Sequence, residues 1–64
     1  MSKFVVFLES EHNSVARRVE EVLSVEKELV NGENIPKVVF KDGEFIYVEL
    51  QTFSDIINML NENS

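Results

Sequence analysis

The stretch that decides the fold is Asn13-Ser14-Val15-Ala16-Arg17-Arg18-Val19-Glu20-Glu21-Val22-Leu23-Ser24-Val25-Glu26-Lys27-Glu28-Leu29-Val30. Val15, Val19, Val22, Leu23, Leu29 and Val30 recur at helical spacing and form one apolar stripe. Asn13 or Ser14 stands where a side-chain oxygen accepts from the first free N–H groups of a helix. Arg17 precedes Glu20 and Glu21 by the intervals that make ion pairs on a helix face. Asn31-Gly32 supplies the left-handed residue that commonly ends a helix. These signals predict a helix over 15–30, held by packing because its many valines are stiff in a helix. A strand over 24–30 stays open as the alternative.

Upstream, Phe4-Val5-Val6-Phe7-Leu8 is β-branched and aromatic without alternation, which reads as a strand covered on both faces. Glu9 to His12 is then a polar loop. Downstream, Ile35-Pro36-Lys37-Val38-Val39-Phe40 and Phe45-Ile46-Tyr47-Val48-Glu49-Leu50 flank Lys41-Asp42-Gly43-Glu44. Asp-Gly between β-rich runs signals a type I′ hairpin, because that turn needs positive φ at both central residues. Taking Asp42 and Gly43 as the turn pairs Lys41 with Glu44, Phe40 with Phe45, and Val38 with Tyr47. Pro36 suits the first residue of its strand, where no ladder N–H is missed. Thr52 caps a last helix, with Asp55 as a short-armed capping box, and Phe53, Ile56, Ile57 and Leu60 form its apolar face.

The expected fold is α/β (α+β), in the order β-α-β-β-α. A right-handed crossover makes the first two strands parallel, and the hairpin adds the third antiparallel. The sheet is mixed, ordered 1-2-3, with both helices on one face. Its other face is left bare, so Phe4, Val6, Phe7, Phe45 and Tyr47 become interface candidates.

A chain of 64 residues makes one small domain. Such a domain buries only about 60% of the surface its unfolded chain exposes. Cysteine is absent, which removes disulfides and thiolate metal sites and leaves self-association or a partner as the remaining support. The five-residue apolar run at the start is too short for a signal core or a membrane span, so a cytoplasmic location is the default. A net charge of −6 with scattered basic residues opposes binding to phosphate backbones.

The segment IPKVVFKDGEFI resembles the second half of thioredoxins and glutaredoxins, and FVVFLESEHNSVARRVEEVL resembles their first strand, active-site loop and first helix. The resemblance implies a thioredoxin-like fold and a contact point for an extended peptide or glutathione at Ile35 and Pro36, before and at the family's cis-proline. Asn13 opens the stretch that carries the family's active-site cysteines. Here that stretch is Asn13-Ser14-Val15-Ala16, so the thiol–disulfide activity does not carry over. Between 31 and 34 there is also no room for the family's intervening strand and helix.

Other chemistry is sparse. His12 beside Glu9 and Glu11 falls short of the ligands a zinc site needs. Both glycines are explained by a cap and a turn, so no phosphate-cradling loop exists. Phe40, Phe45 and Tyr47 could stack bases on a sheet, but basic flanks are missing. The sequence therefore points to a non-catalytic protein-interaction module with no catalytic residue, cofactor or metal. Its partner is another protein or its own copy, not nucleic acid or a membrane. The alternatives are an acidic nucleic-acid mimic and a residual glutathione-type binder.

Overall fold

The computed structural model describes residues 3–64. Phe4–Leu8 (β1) pairs antiparallel with Ser14–Arg18 (β2), from Phe4 opposite Arg18 to Leu8 opposite Ser14. A 3-10 turn, Val19–Glu21, leads into Val22–Val30 (β3), which pairs antiparallel with Glu33–Phe40 (β4). Phe45–Tyr47 (β5) joins the other edge of β4, and Phe53–Glu62 (α1) closes the described chain. The result is an α+β domain of two antiparallel sheets, ordered β1-β2 and β3-β4-β5, with one helix.

The helix expected over 15–30 is absent, and with it the parallel crossover, the mixed 1-2-3 sheet and the second helix. The segment contains β-branched valines at 15, 19, 22, 25 and 30, which suit a pleated surface better than a helix. The strand alternative over 24–30 is the one the chain adopts. Asn31 (φ 50°) and Gly32 (φ 82°) are both left-handed, as a two-residue type I′ hairpin between Val30 and Glu33 requires. The Asn-Gly pair read as a helix cap is therefore the β3–β4 turn. The thioredoxin-like expectation loses its strand–helix–strand unit, and Pro36 follows a trans peptide bond.

The β4–β5 hairpin exists but with a different turn. Gly43 donates to the Phe40 carbonyl at 3.0 Å and Phe40 donates to that of Glu44 at 2.8 Å. Gly43 has a φ of 94°, whereas Asp42 has no positive φ. This is a three-residue loop with a glycine bulge, and it shifts the register by one residue. Phe45 opposes Val39 and Tyr47 opposes Lys37, in place of the expected Phe40–Phe45 and Val38–Tyr47 pairs. A slip of one residue exchanges faces, so Phe40 points into the core while Phe45 is 51% exposed.

Pro36 is the fourth residue of β4, not its first. Its carbonyl accepts from the Val48 N–H at 2.9 Å, but it has no N–H to return. The β5 ladder ends at Tyr47 beside this half-made pair.

The core consists of Val5 and Phe7 from β1, Val38 and Phe40 from β4, Val48, and Ile56 from α1. Phe7 meets Phe40 edge-on, with ring centroids 6.0 Å apart, and so joins the two sheets. The last helix forms as the sequence predicts. Thr52 Oγ1 accepts from the Asp55 N–H, the Asp55 carboxylate accepts from the Thr52 N–H, and Ile56 is fully buried.

Candidate interaction surface

Alternation along β1 decides which side chains remain free. Val5 and Phe7 point into the core, whereas Phe4, Val6 and Leu8 point outward at 61%, 48% and 38% exposure. The first strand is covered on one face only. Across the ladder, Arg18, Ala16 and Ser14 stand opposite these three and share their exposed face. The Arg18 guanidinium carbon lies 5.8 Å from the Phe4 ring centroid. An apolar row flanked by Ser14, Ala16 and Arg18 thus runs the length of the hairpin.

The free edge of β1 is closed at its Leu8 end. The Leu8 N–H donates to Gln51 Oε1 at 3.1 Å, and Gln51 Nε2 donates to the Val6 carbonyl at 3.4 Å. The N–H groups of Leu50 and Glu49 donate to the carbonyls of Leu8 and Glu9. The amide of Gln51 thus stands in for a peptide unit of a neighbouring strand, which blocks pairing with an incoming one.

A second surface is the outer face of the three-stranded sheet. Phe45 and Tyr47 pack edge-on with centroids 5.7 Å apart, and the Lys37 ammonium lies 4.3 Å from the Phe45 centroid. Lys37 also lies 3.9 Å from Glu28, which accepts from the Tyr47 hydroxyl. That hydrogen bond, with burial second, raises the Tyr47 pKa above its usual value. The aromatic pair is therefore engaged by its own strands. A separate groove of about 490 Å³ includes Lys27, Asn34, Ile35, Pro36, Gln51 and Phe53 in its walls.

Arg17, on the inner face of β2, holds the two sheets together. Its guanidinium lies 3.9 Å from the Phe40 centroid and pairs with Glu21 at 2.9 Å, Asp42 at 3.2 Å and Glu44 at 3.7 Å. Burial pulls its pKa down, but Glu21 and Asp42 outweigh that and leave it raised. Asp42 is lowered, first by the Glu44 N–H it accepts and then by Arg17.

Of the residues proposed from sequence, Phe4 and Val6 lie together on the hairpin face. Phe45 lies on the other sheet with half-buried Tyr47. Phe7 is fully buried against Phe40 and is a core residue, not a surface one. Asn13 sits in the β1–β2 loop, its carbonyl accepting from the Glu9 and Ser10 N–H groups, while Ile35 and Pro36 are on β4. The structure does not gather Asn13 with Ile35 and Pro36 along one wall of the groove. His12 is exposed, and no group of three or more metal-ligating side chains occurs among the described residues. No helix of the described residues is long and apolar enough to cross a membrane.

Sequence reasoning missed Leu8, Ala16 and Arg18 on the hairpin face, and Gln51 at its edge. The first three become visible once β2 is read as the partner of β1, since period-two alternation then gives the face directly. Nothing local marks Gln51. Comparison with known protein families, with curated proteins and with solved structures finds no match to this chain.

Proposed function

We propose that this chain is a non-catalytic protein-interaction module that binds through the outer face of the β1–β2 hairpin. The observation that carries this reading is the unbroken exposed row Phe4, Val6 and Leu8 on a rigid ladder. Scattered apolar side chains are normal on a protein surface, but a contiguous row is a docking feature. Leu23 and Leu29, exposed at 64% and 69%, stand near opposite ends of β3 and form no such row. The carboxylates do not favour nucleic-acid mimicry. Glu21, Asp42 and Glu44 are gathered on Arg17, Glu28 is held by Lys37 and Tyr47, and Asp55 serves the helix cap.

A photo-crosslinking residue at position 16, opposite Val6, tests the reading in the native cell. The expected result is a discrete protein adduct that disappears when Val6→Glu is combined with it. Adducts unchanged by Val6→Glu would remove the hairpin face as the contact.

A further inference from the structure

We infer that the outer face of the β1–β2 hairpin docks a second copy of this chain, antiparallel, about a two-fold axis near Val6. This inference rests on the interaction-module reading and names the partner.

The face is self-complementary in charge. At its Phe4 end stands Arg18, which lies over the Phe4 ring. At its Leu8 end the loop carries Glu9 and Glu11. A two-fold axis in the plane of the face and perpendicular to the strands lays β1 on β1 in the opposite direction. Phe4 then meets Leu8 of the second copy, and Val6 meets Val6. The Arg18 end faces the Glu9 and Glu11 end. An axis parallel to the strands would bring like ends together, which electrostatics opposes. The apolar row is covered at the same time, giving this cysteine-free domain the support its size calls for.

Two of the sheet edges are partly closed to self-association. Gln51 and Leu50 occupy the Leu8 end of the β1 edge. Self-pairing of the outer β3 edge near its middle sets Glu26 against Glu26 in one register. Shifted one way it sets Lys27 against Lys27 and Glu26 against Glu28; shifted the other way it sets Val25 against Val25 and Ser24 against Glu26, with no like charges opposed. Like charges directly opposite one another destabilise a ladder.

Sedimentation equilibrium of the full chain from micromolar to millimolar concentration tests this, with circular dichroism confirming that each variant is folded. The wild type is expected to dimerise with concentration, and Val6→Glu to weaken dimerisation by about tenfold or more. Arg18→Glu and Glu11→Lys, both exposed, are each expected to weaken it. An equimolar mixture of those two variants is expected to associate as a heterodimer, because each then supplies the charge that the other lacks. A strictly monomeric wild type overturns the inference, as does a dimer indifferent to Val6→Glu or a mixture that stays apart. A monomer that still gives Val6-dependent adducts to a different protein sinks self-docking and leaves the interaction reading standing. A chain that forms neither dimer nor adduct sinks both.

Discussion

The guanidinium of Arg17 lies 3.9 Å from the centroid of the Phe40 ring, while Phe7 meets that ring edge-on at 6.0 Å. Phe40 is thereby held between the two strands of one sheet and is itself part of the other. Arg17→Met keeps an aliphatic stem over the ring but leaves Glu21, Asp42 and Glu44 facing one another without their cation. The variant is expected to unfold at lower temperature than wild type and to recover part of the loss in added salt, which screens the carboxylates. Arg17→Lys is not expected to restore the wild-type midpoint, since an ammonium cannot span three carboxylates while lying flat on a ring. Thermal unfolding at low and high salt reads both effects.

Leu29 separates the observed strand from the helix that the sequence suggests, with Ile56 as the buried reference. Ile56 is fully buried, so Ile56→Ala is expected to cost about 2–5 kcal/mol. Leu29 is 69% exposed near the tip of the β3–β4 hairpin, so Leu29→Ala is expected to stay within about 0.5 kcal/mol of wild type. Urea titration of both variants decides the matter. A large loss at Leu29 would contradict the strand and its exposure.

The two glycines differ from ordinary loop glycines in needing a left-handed backbone. A methyl group at Gly32 or Gly43 would meet nothing within 4 Å, so any cost of Gly→Ala is backbone strain alone. Each substitution is expected to destabilise by roughly 1–2 kcal/mol. Equilibrium denaturation measures this, and unchanged stability would rule out the positive φ at that site.

The pH dependence has two limbs of opposite sign. The Asp42 carboxyl is held below its usual range by the Glu44 N–H and then by Arg17, so the folded chain binds its proton less readily than the unfolded chain. The stabilisation is present above the ordinary carboxylate pKa of about 3.9 and is lost as pH falls through the folded value. Asp42→Asn is expected to flatten that acid limb in chemical denaturation at stepped pH. Tyr47, the one tyrosine of the chain, is raised by the hydrogen bond it donates to Glu28. Its contribution is complete below the ordinary phenol pKa of about 10 and is lost as pH rises through the folded value. An ultraviolet titration reads this group alone, and Glu28→Gln is expected to bring it back toward the ordinary pKa.

How much of this was legible varied along the chain. Thr52, Asp55 and the face Phe53, Ile56, Ile57 and Leu60 were fully so, because a capping box and a 3.6-residue period are local properties. The presence of a hairpin after Phe40 was legible too, but its register was not. Asp42-Gly43 is compatible with a two-residue turn or with a three-residue turn ending in a glycine bulge, and only the second was adopted. That difference alone moves Phe45 from the expected partner of Phe40 to the opposite face. The candidate surface was half legible. Phe4 and Val6 were named from their apolar character, and Phe7 was named with them because the alternation of β1 has no meaning until one of its faces is covered.

The sequence by itself determined a small, acidic, cysteine-free chain with a capped final helix and a β-hairpin between Ile35 and Leu50, since composition, caps and turn residues act over a few positions. Only the tertiary structure decided the state of residues 14–30. Their valines and leucines satisfy a helical stripe and a pair of strands alike. The choice fell to partners remote in sequence or across a turn, β1 for one half and β4 for the other, whose ladders and buried faces outweigh local helical preference. The same long-range pairing decided which side of β1 is core and which is free to bind.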